Sequence, residues 1–165
     1  YTLWHTLSLH DALPIWERAV IAFARRDAEI LLIHKKRGLG AGKINGPGGR
    51  IEPGESAEEA AVRETQEEVG LRLSAPSERA RLHFSFLDGY SLSVTVFVAE
   101  RFSGEPIETD EAVPFWASMD AIPYDRMWAD DRLWLPEVLA GRYVEGWFVF
   151  DDDSMLSSSL DVRSR

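Results

Sequence analysis

The chain has 165 residues, 45% hydrophobic and 28% charged, with 28 acidic against 18 basic side chains and a net charge of −10. This length and composition suit one packed domain, and no apolar run reaches the ~18 residues of a membrane span. The acidity argues against a long polyanionic partner such as duplex DNA, but not against a small phosphorylated ligand, because a bound divalent cation reverses the local sign. With no cysteine, disulfides, thiolate zinc sites and cysteine nucleophiles fall away together, and a reducing cytoplasm is the expected compartment. Of four histidines, His5 and His10 lie in the first fifteen residues, leaving His34 and His83. A metal site must then be built mainly of oxygen, which suits magnesium, manganese or calcium.

In chain order, YTLWHTLSLHDALPI lacks the basic start, apolar middle and small-residue end of a signal peptide. Its HTLSLHDALPI portion resembles a sequencing adapter translated in frame. Residues 1–15 are expected to be a non-native extension, the alternative being a genuine one, and residues 16–165 a single domain. ERAVIAFARRDAEILLIHKKR carries two apolar runs around a polar turn and predicts two strands. GLGAGKINGPGG holds six glycines and a proline and predicts loop. After a short extended piece, SAEEAAVRETQEEVG predicts a helix, with Ser56 as N-cap, Glu59 at the capping-box spacing and Gly70 as the stop.

ARLHFSFL and YSLSVTVFVAERF alternate apolar and polar residues around an Asp-Gly and predict an antiparallel hairpin. SGEPIETDEA is loop, VPFWASM a short strand, and DDRLWLPEVLAG a second helix with Pro136 near its first turn. RYVEGWFVFDDD and MLSSSLDVR predict two final strands. Strands dominate and two helices flank them, so the expected class is α+β, an α/β/α layered domain.

Within the first helix, Glu64, Glu67 and Glu68 stand at i, i+3 and i+4, which places three carboxylates on one face. Bare, they repel, and a divalent cation removes the conflict. From the helix alone, a metal site and a solvated acidic face stand level. The wider spacing tips the balance. Gly49, five residues, Glu55, seven residues, then RETQEEVGL resembles the Nudix box at all seven fixed positions, and only Thr65 departs, where an aliphatic residue is usual.

The resemblance implies a mixed-sheet sandwich whose box binds magnesium or manganese and the diphosphate of a nucleotide. Carried over by position, Glu64, Glu67 and Glu68 would face the metal, with the Gly49 carbonyl a further ligand. Arg63 would brace Glu55 and orient the helix. Glu64 would be the general base or a bridging ligand, with Glu111, in the loop ETDEAVPF, its competitor or simply a solvated acid.

The flanks KKRGLGAGKINGPGGRIEPGES and ETDEAVPFWASMDAIPYDRMWADDRLWLPEVLAGRYVEGWFVF resemble the oxidised purine nucleoside triphosphatases. That likeness implies hydrolysis of 8-oxo-dGTP or 2-oxo-dATP to monophosphate and pyrophosphate, with Trp128 stacking on the base and Asn45, Asp130 and Asp131 bonding its edge. Each has a plainer reading as well: Trp128 as core, Asn45–Gly46 as a turn pair, and Asp130 or Asp131 as a helix N-cap. Two adjacent buried carboxylates cannot both ionise cheaply, so one tends to keep a proton and donate while the other accepts. Phe84 and Phe86 line either the pocket or the core, and Lys35 and Lys36 either reach phosphates or form a strand-end pair.

Ile44, Leu39 and Pro47 stand where the vertebrate members carry aromatics, which makes the pocket wall less aromatic. A Nudix hydrolase of another nucleotide and a non-catalytic nucleotide-binding module remain the rivals. The expected partner is a small nucleotide, with no nucleic-acid polymer, no membrane and a monomeric state.

Overall fold

Two apolar runs with charged residues between them form the spine of the sheet. In a computed structural model describing residues 16–164, β1 (Glu17–Arg26) and β2 (Glu29–Lys35) pair antiparallel across a turn in which Asp27 takes φ 50°. The assignment of residues 1–15 as an extension lies outside the described residues. Both strands are buried on both faces, which is why they read as continuous apolar runs. Phe23, Ile30 and Leu32 enter one core, while Val20, Ala22, Leu31 and Ile33 enter the other.

Among the described residues, nine strands make one mixed sheet. Its path runs through β11 (Ser154–Arg163), β10 (Tyr143–Asp151), β6 (Ser77–Phe86), β7 (Ser91–Ala99), β1, β2 and β3 (Ile44–Asn45). Off this path, β4 (Gly48–Arg50) pairs with β1 and β9 (Ala112–Ser118) with β2. The β1–β7 and β10–β6 pairs are parallel and the rest antiparallel. Helix α1 (Ala57–Val69) covers one core with Ala60, Ala61 and Val69, and α2 (Asp131–Leu139) covers the other with Trp134, Leu135 and Val138. This is the layered α+β arrangement expected, and no helix among the described residues is long and apolar enough to cross a membrane.

Three expectations are corrected. The glycine-rich loop contains β3 and β4, because glycines let the backbone run close against β1: a Cβ on Gly48 would sit 2.1 Å from the Val20 carbonyl oxygen. The long run to Phe102 breaks at Glu100, and its end, β8 (Arg101–Ser103), pairs with β5 (Arg72–Ser74) in a separate two-stranded sheet. Pro136 is the sixth residue of α2, not part of its first turn. The helix spans nine residues there, and buried Trp134, Leu135 and Val138 hold it against the local propensity.

Candidate active site

Helix α1 starts at Ser56 by the expected capping box: Glu59 N–H donates to Ser56 Oγ (3.1 Å), and Ser56 N–H to Glu59 Oε1 (3.4 Å). It ends at Gly70 in the left-handed conformation, where a Cβ would press on Ile107 at 2.9 Å. Between these caps the helix presents Arg63, Glu64 and Glu68 toward β4, with Glu67 turned to solvent. Gly48 N–H donates to Glu68 Oε2 (2.9 Å), and a Cβ on Gly49 would lie 2.4 Å from the Glu64 carboxyl carbon. The two glycines therefore set how closely sheet and helix carboxylates meet. Thr65, the one departure in the motif, is buried with its hydroxyl donating to the Ala61 carbonyl (2.8 Å), so its polarity is satisfied inside the helix.

Arg63 organises the acids. Its Nε and Nη2 donate to both oxygens of Glu55 (2.7 and 2.8 Å), and its Nη1 donates to Glu64 Oε1 (2.8 Å) and Glu67 Oε2 (3.3 Å). This fork lowers Glu55 from 4.5 to about 2, chiefly through the hydrogen bonds, and raises Arg63 further above its ordinary value. Burial acts the opposite way on Glu64 and Glu68: desolvation raises both, Glu68 to about 7, and the charges of Glu64, Glu67 and Glu111 add to the repulsion.

The loop from Ser103 to Glu111 is tied to the end of α1, with Ile107 N–H donating to Val69 O (2.9 Å) and Thr109 Oγ1 to Glu68 O (2.7 Å). Glu111 thereby comes near enough to raise Glu64 and Glu68, while its own carboxylate pairs with Arg37 (3.0 Å).

Next to these acids lies a cavity of about 330 Å³. Gly49 and Glu68 line one part of it, Asn45, Trp128, Asp130 and Asp131 another, and Phe84, Phe86, Tyr90 and Leu92 also line it. The side-chain Nδ2 of Asn45 is buried without a hydrogen-bond partner, an orphan donor at the cavity wall. Asp130 and Asp131 are buried, and Asp130 Oδ2 accepts from Trp134 Nε1 (2.8 Å). Asp130 occupies the N-cap position of α2 but makes no capping bond with its side chain. Burial raises both carboxyls, the Asp130 charge pushes Asp131 higher, and the Trp134 indole N–H counteracts on both, so the pair takes up a proton more readily than free aspartates do.

A NUDIX domain model matches residues 16–138. The chain belongs to the Nudix family. It is 42% identical over 134 residues to the oxidized purine nucleoside triphosphate hydrolase of Danio rerio, covering 80% of this chain and 86% of that protein. The mouse protein of the same description is 40% identical, covering 79% and 85%. A solved MutT protein from Bacillus halodurans superposes with a TM-score of 0.78 at 27% identity, covering 88% of this chain and 97% of that one.

Within the Nudix fold, the structure gathers most of the residues singled out from sequence. Lys35, Asn45, Gly49, Glu68, Phe84, Trp128, Asp130 and Asp131 all line the one cavity. Asn45 lies in β3 opposite Ile33, not in a turn. Lys35 faces the cavity and lowers Glu68, whereas Lys36 turns away to Glu108 and the Thr109 carbonyl, both at 2.7 Å. Glu64, Glu67, Arg63 and Glu111 stand outside the cavity lining.

Glu67 is solvent-facing, and no three acidic or histidine side chains among the described residues close around a single point. Arg63 spreads the acids instead, leaving half-buried Glu64 and buried Glu68 with raised affinity for protons. The chemistry of this donor set fits a hard divalent cation, on which Nudix hydrolases generally depend. Sequence reasoning missed Tyr90, Leu92 and Trp134. Trp134 was legible as the i+4 partner of Asp130, but Tyr90 and Leu92 carried no local signal.

Proposed function

We propose that the protein hydrolyses oxidised purine nucleoside triphosphates, such as 8-oxo-dGTP or 2-oxo-dATP, to the monophosphate and pyrophosphate with one water consumed. The observation that carries this reading is a cavity that brings Trp128 and Asn45 together with Gly49 and Glu68 of the box. Trp128 offers a ring for a flat base, and base–aromatic stacking contributes about 1–3 kcal/mol per base. Asn45 Nδ2 supplies a donor that a carbonyl on the base satisfies. Within the Asp130–Asp131 pair a protonated carboxyl donates and an ionised one accepts, so the pair suits the donor–acceptor edge of an oxidised purine.

At the box, Glu64, Glu67, Glu68 and the Gly49 carbonyl would hold magnesium or manganese. When bound, such a cation neutralises phosphate oxygens and acidifies water. Arg63 holds Glu64 Oε1, which leaves Oε2 to take the proton of the attacking water. Lys35, at the cavity wall, offers its ammonium to the phosphates. All of these groups come from one chain, which fits action as a monomer, and a free nucleotide substrate with a cysteine-free chain fits the cytoplasm. The test compares kcat/KM for 8-oxo-dGTP, 2-oxo-dATP, O6-methyl-dGTP and dGTP with magnesium, in wild type and Asp130→Asn. Equal turnover of dGTP and the oxidised substrates by wild type defeats the proposal.

A further inference from the structure

We infer that Lys43 is a positioning residue for base stacking, its ammonium backing the indole of Trp128 on the face opposite the ligand. This rests on the reading of Trp128 as the stacking plate. The Lys43 Nζ lies 5.2 Å from the centroid of the Trp128 ring, inside the ~6 Å reach of a cation–π contact. Trp128 lines the cavity and Lys43 does not, which favours the face of the indole opposite the ligand space for the ammonium.

Aromatic neighbours hold the ring as well: Phe150 lies at 5.4 Å and 87°, Phe86 at 6.3 Å and 76°, both in T-shaped contact. Gly40 brings its backbone against the indole nitrogen so closely that a Cβ there would lie 2.8 Å from Nε1. Trp128 is thus held by two aromatic rings, a glycine backbone and an ammonium while still lining the cavity.

The place of Lys43 is itself determined. Its N–H donates to Gly40 O (2.9 Å), and its carbonyl accepts from Lys35 N–H (3.1 Å), which closes the loop after β2. Its Nζ also lies 3.4 Å from Asp153 Oδ2, in the tight turn between β10 and β11. One ammonium therefore ties the glycine loop, the tryptophan segment and the last hairpin turn. A cation so placed draws π density to its own side and restricts tilting of the ring, which pre-orders the free face for a flat ligand.

The test is equilibrium binding without metal, using 8-oxo-deoxyguanosine, which has no phosphate, beside its 5′-monophosphate. Removing a surface cation–π contact corresponds to about a two- to fivefold weakening, so Lys43→Met is expected to raise Kd for both ligands by that factor, and Lys43→Arg to restore it. In turnover the same variant raises KM with kcat unchanged. In a Trp128→Leu background, where the monophosphate still binds through its phosphate, Lys43→Met causes no further loss.

Weaker binding of the monophosphate but not the nucleoside overturns the inference, since Lys43 then acts on phosphate. An equal loss in both tryptophan backgrounds, or none in wild type, overturns it too. If Trp128→Leu alone leaves binding unchanged, the stacking reading itself falls; if Trp128→Leu weakens binding and Lys43→Met does not, only the role of Lys43 falls.

Discussion

Glu68 is placed where a charge is costly, so removing that charge should stabilise the metal-free protein at alkaline pH. Burial raises its carboxyl from 4.5 to about 7 against the counteracting Gly48 N–H and Lys35. At about 1.4 kcal/mol per pH unit, that displacement is worth about 3 kcal/mol. The sign follows from proton binding. The folded state holds the Glu68 proton more tightly than the unfolded chain, so its contribution is complete below pH 4.5 and is lost as pH rises through about 7.

Glu68→Gln keeps an oxygen to accept from Gly48 N–H, though a neutral acceptor forgoes about 1 kcal/mol of the charged bond. The net expectation is a gain of about 2 kcal/mol at pH 8, or about 4–8 °C in Tm for a domain of this size, and little change at pH 5. Thermal unfolding by circular dichroism in EDTA, at both pH values, measures it. Added magnesium should then raise the Tm of wild type at pH 8 by more than that of the variant. A Glu68→Gln protein no more stable than wild type at pH 8, with a normal spectrum, refutes the reasoning.

Gly49→Ala drives a methyl into the Glu64 carboxylate, 2.4 Å from its carbon, and kcat/KM should fall by on the order of 10²-fold, as for other ~1 Å misplacements. Arg63→Lys breaks the two-pronged contact with Glu55; because Glu55 is lowered to about 2, stability should drop at pH 7 in urea titrations, with the difference from wild type shrinking as pH falls from 4.5 toward 2. Trp128→Leu should raise KM for an 8-oxopurine triphosphate about 5- to 150-fold through lost stacking, with circular dichroism unchanged. EDTA should abolish pyrophosphate release and magnesium restore it, measured by a coupled pyrophosphate assay.

The box helix was fully legible because its signals are local. Ser56, Glu59 and Gly70 specify its ends, and the i, i+3, i+4 acids specify its working face. The same holds for the first two strands, whose apolar runs could only be buried on both faces. The breaks came where tertiary packing overrides local pattern. Gly48 reads as loop because nothing local shows that Val20 lies against it. Pro136 reads as a helix start, yet α2 runs through it on the strength of its neighbours' burial. The proposed base contacts were found by position in a family pattern. The Trp134–Asp130 bond was open to the sequence through its i+4 spacing, whereas Tyr90 and Leu92 reach the cavity only through the fold.

Asn45 and Gly49 are separated by three residues in the chain, yet one is the proposed base contact and the other packs against Glu64. Four residue steps of extended backbone span at most ~14 Å. On the proposed reading, the stretch from β3 to β4 is thus a ruler between the base contact and the box acids. It is pinned at both marks, by the Asn45–Ile33 pairing and by the Gly48–Glu68 bond. Lengthening it by one residue would slide the reading end by about one strand step, ~3.3 Å, and present a different bond of the same nucleotide to the acids. On the proposed reading, base contact and metal site are therefore spaced in part by this one short segment.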